Sequence, residues 1–311
     1  MAVAHTILEA IGNTPLMALG KVVPPHHARV LIKLEGANPT GSMKDRMAQA
    51  MIARAEADGR LKPGGTVVEY TGGSTGTSLA LICAAKGYRL RIVYSDAFSQ
   101  EKADHMRALG AEVMLVPSDG GRITKTLIQT LIETARQISQ ERDCYWTDQF
   151  NNTDHVAGYH ALGEEIWMQT GGQVDAFVQS VGTSASLRGV GTILRQHKPG
   201  VQLIAVEPAE SAVLSGEPTG AHHIEGIGAG FVPPLWDPIL VHNILKVSSA
   251  EARAMAQRLA REEGLFAGIS TGANVVGAIR VAEKLGRQAT VVCLQVDTGL
   301  KYLSTDVFKS V

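Results

Sequence analysis

Short apolar runs alternate along the chain with longer stretches in which apolar residues recur at helical spacing. The short runs predict strands at residues 30–34, 66–70, 90–94, 112–116, 144–147, 176–180, 202–206 and 290–294. The longer stretches predict helices at residues 45–58, 78–86, 100–109, 122–140, 156–170, 187–197, 250–263 and 273–285. Strands that alternate with helices in this way are typical of right-handed βαβ units, so we predict an α/β fold with parallel sheets.

The polar segment 149–154 separates two such series of strands and helices. A chain of 311 residues is long enough for about two domains. We therefore predict two doubly wound, three-layer lobes. Ligands of such folds bind where loops gather at the carboxyl ends of the strands, so a ligand is expected between the lobes.

Charge and cysteine usage narrow the class of function. Lys and Arg number 29 against 30 Asp and Glu, without a basic run, which argues against nucleic acid and membrane surfaces as partners. Cys83, Cys144 and Cys293 form no C-x-x-C pair, so reduced thiols are expected and a metal site is not. The N-terminal residues lack a signal-peptide pattern, so we expect a cytoplasmic protein that binds a small molecule.

The segment T-G-G-S-T-G-T-S at residues 71–78 carries almost no side chain between a strand and a helix. Unpaired N–H groups of a glycine-rich turn at a helix N-terminus form an anion site, which predicts binding of a carboxylate or phosphate. The segment is not a P-loop, because no Lys follows its last Gly. A glycine run that only permits close packing is the structural alternative.

Two further glycine-rich segments follow later in the chain. Q-S-V-G-T-S-A-S-L-R-G-V-G at residues 179–191 also joins a strand to a helix and suits a phosphate. Its spacing is not G-x-G-x-x-G, which disfavours a nucleotide-dependent oxidoreductase. E-G-I-G-A-G-F-V-P-P at residues 225–234 is predicted to be a loop, because Pro233 and Pro234 cannot continue a helix.

One lysine lies in N-P-T-G-S-M-K-D-R-M-A, residues 38–48. Ser42 and Asp45 have the spacing of a capping box, which predicts Lys44 in the first turn of a helix. The positive end of the helix dipole would lower the pKa of its amine from about 10.4. Such an amine is a better nucleophile toward an aldehyde and a better base. A solvated helix lysine is the alternative, and the two predicted anion sites weigh against it.

Five segments resemble, in order and spacing, the cysteine synthase (O-acetylserine sulfhydrylase) and cystathionine β-synthase family, which depends on pyridoxal 5'-phosphate. They are I-G-N-T-P-L at 11–16, N-P-T-G-S-M-K-D-R at 38–46, E-G-I-G-A-G-F at 225–231, A-G-I-S-T-G-A at 267–273 and K-Y-L-S-T at 301–305. The resemblance covers nearly the whole chain. It implies the tryptophan-synthase β-like fold, a smaller domain at residues 35–149, a larger domain formed by 1–34 plus 150–311, and a homodimer.

The resemblance also implies roles for individual residues. Lys44 corresponds to the lysine that forms the Schiff base with the cofactor and then acts as general base. The cofactor phosphate cup corresponds to Gly182, Thr183, Ser184, Ala185 and Ser186. The substrate site corresponds to Thr71, Gly72, Gly73, Ser74, Thr75, Gln149 and Gly228, of which Ser74 also faces the cofactor. Thr298 falls where the family has a hydroxyl against the pyridine nitrogen, which would leave that nitrogen neutral and disfavour transamination.

Three segments depart from the family pattern. T-G-G-S-T-G replaces T-S-G-N-T-G, so Ser74 stands where an Asn contacts the cofactor's ring oxygen. G-T-S-A-S replaces G-T-G-G-T in the phosphate cup, and Asp297-Thr298 replaces a Ser-Ser pair. A second role for Ser74 is to cap the following helix.

The implied reaction is β-replacement on an activated serine of the O-acetylserine type with sulfide, giving cysteine. Cysteine desulfhydrase and cystathionine β-synthase-like activities are the alternatives within the same chemistry. A non-catalytic binding relative is the alternative outside that class, and the presence of Lys44 with both anion loops disfavours it.

Overall fold

The computed structural model describes residues 3–309, which form two sheets flanked by helices. The strands are β1 (Leu16–Ala18), β2 (Arg29–Leu34), β3 (Thr66–Tyr70), β4 (Arg89–Ser95), β5 (Glu112–Val116), β6 (Cys144–Trp146), β7 (Ala176–Ser180), β8 (Gln202–Pro208), β9 (Asn243–Val247) and β10 (Thr290–Gln295). The helices are α1 (Lys44–Ala57), α2 (Ser74–Lys86), α3 (Gln100–Ala108), α4 (Lys125–Ile138), α5 (Asp154–Ala157), α6 (His160–Gln169), α7 (Ala185–His197), α8 (Ser249–Arg258) and α9 (Ile269–Leu285).

The two sheets divide the strands at the polar segment 149–154, except that β1 and β2, which precede this segment, join the larger sheet. The smaller sheet has the order β5-β4-β3-β6, and all of its strands are parallel. The larger sheet has the order β1-β2-β10-β7-β8-β9, in which only β1 runs antiparallel to its neighbour. The predicted α/β fold with two parallel sheets is confirmed.

Alternate residues of β7 show how the larger lobe is layered. Phe177 belongs to a core that also contains residues of α7, whereas Ala176 and Val178 belong to a second core with residues of α9. Every side chain of β7 and of its neighbour β10 is buried. Central strands covered on both faces are typical of parallel sheets, which explains their continuous apolar runs.

Several element boundaries differ from the prediction. The strands β1 and β9 were not expected, and the single helix predicted at 156–170 is divided into α5 and α6. Gly158 lies at this division, where a side chain would come within 2.9 Å of the Arg46 carbonyl oxygen on α1. The close approach of α1 therefore sets the break. The helix predicted at 250–263 is α8 followed by a π-helical turn, Leu259–Glu263.

Within residues 3–309, no helix is long and apolar enough to cross a membrane. The same part of the chain contains no group of three or more His, Cys, Asp or Glu side chains that could hold a metal ion. All three cysteines are free thiols.

A cluster of buried charges ties α1 to the larger lobe. Arg46 on α1 pairs through Nε with Glu35 Oε2 and through Nη1 with Glu165 Oε1, each at 2.7 Å. Lys33 Nζ pairs with Glu165 Oε2, also at 2.7 Å. Burial alone would raise the pKa of Glu165, but the hydrogen bonds and charges of Arg46 and Lys33 lower it to about 2. The cluster therefore holds two cations and two carboxylates that satisfy one another.

The I-G-N-T-P-L segment closes this cluster and does not line the cavity described below. The Asn13 N–H donates to Glu165 Oε1 at 3.0 Å, and the Thr14 hydroxyl donates to Glu35 Oε1 at 2.6 Å. The matched segment is therefore structural, because it adds second donors to carboxylate oxygens that Arg46 also binds.

We expect Arg46→Met to lower the free energy of unfolding by about 3–5 kcal/mol, because it leaves two buried carboxylates with less compensating charge. Arg136→Met is the matched control, since Arg136 pairs with Glu133 where both side chains are about half exposed. That control should cost less than about 1 kcal/mol. Urea unfolding at neutral pH measures both, and equal effects of the two substitutions would contradict a stabilising role for the cluster.

Candidate active site

A cavity of about 810 Å³, its open mouth included, lies where loops at the carboxyl ends of β3, β7 and β10 meet. Its wall includes Lys44, segments 70–75, 182–183, 225–229 and 296–297, and the side chains of Gln149 and Ser270. All predicted substrate-binding residues line it, as do Lys44, Gly182 and Thr183 of the predicted cofactor set. The structure thus gathers distant segments of the sequence into one site.

Lys44 is the first residue of α1, in the first turn as predicted. The preceding loop is hydrogen-bonded to the end of β10: Met43 N donates to the Val296 carbonyl and Thr298 N to the Gly41 carbonyl, both at 2.9 Å. These bonds fix Lys44 beside Asp297 in the cavity wall.

The predicted capping box before α1 is wrong. Ser42 Oγ accepts a hydrogen bond from Lys44 N at 3.2 Å, but the Asp45 side chain does not return to Ser42. It accepts hydrogen bonds from Thr40 N at 2.8 Å and Ser78 Oγ at 2.6 Å instead. These buried donors fix the Asp45 carboxylate on the α2 side.

Burial lowers the pKa of the Lys44 amine to about 8, and the nearby positive charge of Lys301 acts in the same direction. The negative charge of Asp297 opposes this change. The lowered pKa was predicted, but burial rather than the helix dipole is the main cause. At a pKa of about 8, roughly a tenth of the Lys44 amine is unprotonated at pH 7, and this is the form that acts as nucleophile or base.

The loop from Thr71 to Thr75 is held open by its own side chains. Thr71 Oγ1 accepts hydrogen bonds from Gly73 N at 2.9 Å and Gly76 N at 3.3 Å. Thr75 Oγ1 donates to Gln149 Oε1 at 3.0 Å, and Gln149 Nε2 donates to the Tyr70 carbonyl at 2.7 Å. Because α2 begins at Ser74, the N–H groups of Ser74 and Thr75 have no partner within the helix and can bind a carboxylate.

The second predicted anion loop leads into α7. A side chain at Gly182 would come within 2.4 Å of the Gly226 carbonyl oxygen, so only glycine fits there. Gly182 and Thr183 line the cavity, whereas Ser184, Ala185 and Ser186 form the start of the helix behind them. Ser186 Oγ accepts a hydrogen bond from Gln179 Nε2 at 3.1 Å. The loop and helix N-terminus together suit a phosphate group.

Thr298 does not line the cavity. Its Oγ1 accepts a hydrogen bond from Leu300 N at 3.3 Å, and its methyl group packs on Gly41. Asp297 faces the cavity instead: its Oδ2 accepts hydrogen bonds from Tyr302 Oη at 2.8 Å and Ser74 Oγ at 3.0 Å. Its Oδ1 is buried without a hydrogen-bond partner.

The capping role considered for Ser74 is also absent, because Gly73 is the N-cap and no side chain caps α2. The wall contains further residues that sequence reasoning did not select, namely Lys102, Glu225, Ser270, Asp297 and Tyr302. Three of these residues lie inside segments that match the family, so the match could have identified them: Glu225, Ser270 and Tyr302. Lys102 lies outside the matched segments, and nothing in the sequence indicates that it lines the cavity.

These features fit pyridoxal phosphate. Lys44 supplies an amine of lowered pKa for a Schiff base with an aldehyde, and the start of α7 supplies backbone donors for a phosphate. The close contact between Gly182 and the Gly226 carbonyl excludes any side chain at residue 182, which leaves space for the cofactor. The unpaired Asp297 Oδ1 leaves an acceptor in the same wall.

The unprotonated Lys44 amine should react in the cofactor-free protein with an inflection near pH 8 instead of the ordinary lysine value of 10.5. Asp297→Asn should move this inflection below 8, because the Asp297 charge stabilises the protonated amine. Mass spectrometry of the Lys44 peptide after labelling with an amine-specific reagent across pH measures both values. An inflection that rises or stays fixed in Asp297→Asn would contradict the assignment, and Lys44→Ala controls for labelling elsewhere in the peptide.

Comparison with known proteins agrees with this geometry. A family model described as "Pyridoxal-phosphate dependent enzyme" matches residues 7–297. A cysteine synthase of Staphylococcus aureus (strain N315) is 40% identical over 304 residues, which are 97% of this chain and 96% of that protein.

Solved structures show the same likeness. The cysteine synthase (OASS) of Entamoeba histolytica has a TM-score of 0.93 and 37% identity, covering 100% of this chain and 92% of its own. The O-acetylserine dependent cystathionine beta-synthase of Helicobacter pylori has a TM-score of 0.92 and 33% identity, covering 99% of this chain and 100% of its own. The chain therefore belongs to the cysteine synthase family of pyridoxal-phosphate-dependent enzymes.

Proposed function

We propose that this protein catalyses β-replacement on an activated serine of the O-acetylserine type, with sulfide as nucleophile and cysteine as product. The observation that carries the proposal is the Lys44 amine, with its pKa lowered to about 8, in one wall with two loops that lead into helix N-termini. When bound, pyridoxal phosphate supplies the electron sink that makes the substrate Cα proton acidic.

The residues of the wall have separate tasks in this proposal. Lys44 would hold the cofactor through its amine and would take the proton from the substrate Cα as general base. The loop from Thr71 to Thr75, together with Gln149, binds the substrate carboxylate, and the start of α7 binds the cofactor phosphate. Ser270 and Asp297 are the polar side chains of the neighbouring segments that face the same space. Gly228 lines the same cavity, and its N–H donates to the Val181 carbonyl at 3.1 Å.

The proposal includes a cytoplasmic homodimer, as the family resemblance implies, and a division into residues 35–149 and residues 1–34 plus 150–311. The smaller sheet lies within 66–146, and β1 and β2 join the larger sheet, which supports this division. Residues 1–2 and 310–311, at the ends of the proposed larger domain, lie outside the described part of the chain.

Lys44→Ala should lower the rate of cysteine formation from O-acetylserine and sulfide by about 10³-fold or more, since it removes the covalent link and the base. The fold should persist, because no hydrogen bond of the Lys44 side chain supports the described structure. Cysteine formation and the near-UV circular dichroism of the purified proteins measure the two properties. Lys62→Ala, at an exposed position, is the control. A Lys44→Ala protein with a rate near that of the wild type would refute the proposed role.

The alternative reactions are distinguished with the same preparation. O-acetylserine with sulfide, cysteine alone, and serine with homocysteine are supplied separately, and the products are quantified. The proposal expects the first reaction to be the fastest with sulfide as nucleophile. Faster release of sulfide from cysteine would identify a desulfhydrase, and binding without turnover of any substrate would identify a non-catalytic relative.

A further inference from the structure

Glu69 is a buried carboxylate to which the proposed reaction gives no task. It lies on β3, one residue before Tyr70 of the cavity wall, and its exposed fraction is 0%. None of the Lys, Arg and His side chains in residues 3–309 forms an ion pair with it. A buried carboxylate without a cation is costly, and such a group tends to bind a proton instead.

The Glu69 carboxylate holds together the two segments that form the substrate carboxylate site. Its Oε1 accepts a hydrogen bond from Tyr70 N at 2.9 Å, directly before the Thr71–Thr75 loop. Its Oε2 accepts hydrogen bonds from Thr147 Oγ1 at 2.6 Å and from Gln149 N at 3.0 Å. The carboxylate is therefore bonded to the backbone on both sides of the site that is proposed to bind the substrate anion.

Each of these contacts is also compatible with the protonated acid. Thr147 Oγ1 lies 2.6 Å from Glu69 Oε2 and 3.4 Å from the Val68 carbonyl oxygen. A proton on Glu69 Oε2 can be donated to Thr147 Oγ1, whose own hydroxyl proton then turns toward the Val68 carbonyl. The N–H groups of Tyr70 and Gln149 keep their acceptors, because a protonated carboxyl group retains lone pairs on both oxygens. Glu69 can thus change its protonation state without loss of a contact.

The charges around Glu69 favour the protonated form. Burial raises the pKa of its carboxyl group to about 7, and the negative charge of Asp148 acts in the same direction. The hydrogen bonds from its three donors oppose this change. Tyr70 and Tyr145, the titratable neighbours on β3 and β6, stay neutral because burial raises the pKa of both phenols. A substrate carboxylate in the adjacent loop adds a second negative charge and raises the pKa of Glu69 further.

We propose that Glu69 takes up a proton when the substrate carboxylate enters the Thr71–Thr75 loop, and that this protonation is needed for tight binding. The proposal rests on the β-replacement proposed above and adds a positioning residue to the binding of its first substrate. Glu69 acts through the backbone of Tyr70 and Gln149 and through its charge, without contact to the substrate. The proton comes from solvent and returns to solvent when the carboxylate leaves.

The test compares two ligands of the holoenzyme that differ in the carboxylate alone. L-alanine has the carboxylate but no leaving group, and L-alaninamide has a neutral amide in its place. The absorbance of the bound cofactor gives both dissociation constants, and their ratio is the preference for the carboxylate. For the wild type, we expect this preference to fall about fivefold or more from pH 6 to pH 8, because Glu69 of the ligand-free protein loses its proton over this range.

Glu69→Gln removes the titration and keeps the shape of the side chain. Its preference at pH 8 should stay within about twofold of its preference at pH 6. The comparison with the wild type cancels the titration of the ligand amines, which is the same for both proteins. Glu112→Gln is the matched control, because Glu112 lies on β5 of the same sheet with its side chain 67% exposed. The control should show the fall of the wild type.

Thr147→Val tests the same assignment with the Glu69 carboxyl group retained. The hydrogen bond from Thr147 lowers the pKa of Glu69, so its removal should move the fall in preference to higher pH. A variant that only loosens the fold would weaken binding at every pH and leave the midpoint of the fall unchanged, which would contradict the proposal.

The outcomes separate this proposal from the one on which it rests. A wild-type preference that is constant from pH 6 to pH 8 would overturn the assignment of Glu69, and so would an equal fall in Glu69→Gln. Either result leaves β-replacement intact if the same preparation forms cysteine from O-acetylserine and sulfide. The absence of cysteine formation would refute the proposed function and, with it, the binding step to which Glu69 is assigned.

Discussion

Arg46 imposes the charge constraint on which the position of Lys44 depends. It lies two residues after Lys44 on α1 and pairs with Glu35, after β2, and with Glu165, on α6. If α1 shifted against the larger lobe, buried carboxylates would lose their partner, at a cost of several kcal/mol. The ion pairs of Arg46 with Glu35 and Glu165 therefore fix α1 and with it the Lys44 amine. The hydrogen bonds between segments 41–43 and 296–298 fix the start of α1 against the end of β10.

The sequence predicts the central strands well because burial on both faces leaves continuous apolar runs. The misses have particular causes: β1 has three residues, β9 is half-buried, and the break at Gly158 depends on the approach of α1. These features arise from tertiary contacts, which local pattern and propensity do not contain. The matched segment 38–46 contains Lys44, whereas both anion loops lie outside the five segments and are indicated by their glycine-rich sequence between a strand and a helix.

Residues 297 and 298 show that a site residue predicted from sequence can be wrong by a single position. Thr298 has extended backbone dihedrals, and neighbouring residues of an extended segment point to opposite sides. A shift of one position therefore exchanges a cavity residue for one outside the cavity, and Asp297 rather than Thr298 lines the cavity. The contact of Lys102 with Glu225 spans 123 residues of sequence, and no local signal could indicate it.

Two of the departures from the family pattern meet in space. Ser74 replaces an Asn and Asp297 lies in the segment that replaces a Ser-Ser pair, and the Ser74 hydroxyl donates to Asp297 Oδ2 at 3.0 Å. The short hydroxyl and the longer acid are therefore in direct contact. The carboxylate also faces two buried amines, since its charge raises the pKa of both Lys44 and Lys301 against the larger effect of burial. A neutral hydroxyl would not provide that compensation. The two replacements together therefore place a negative charge, that of Asp297, beside Lys44.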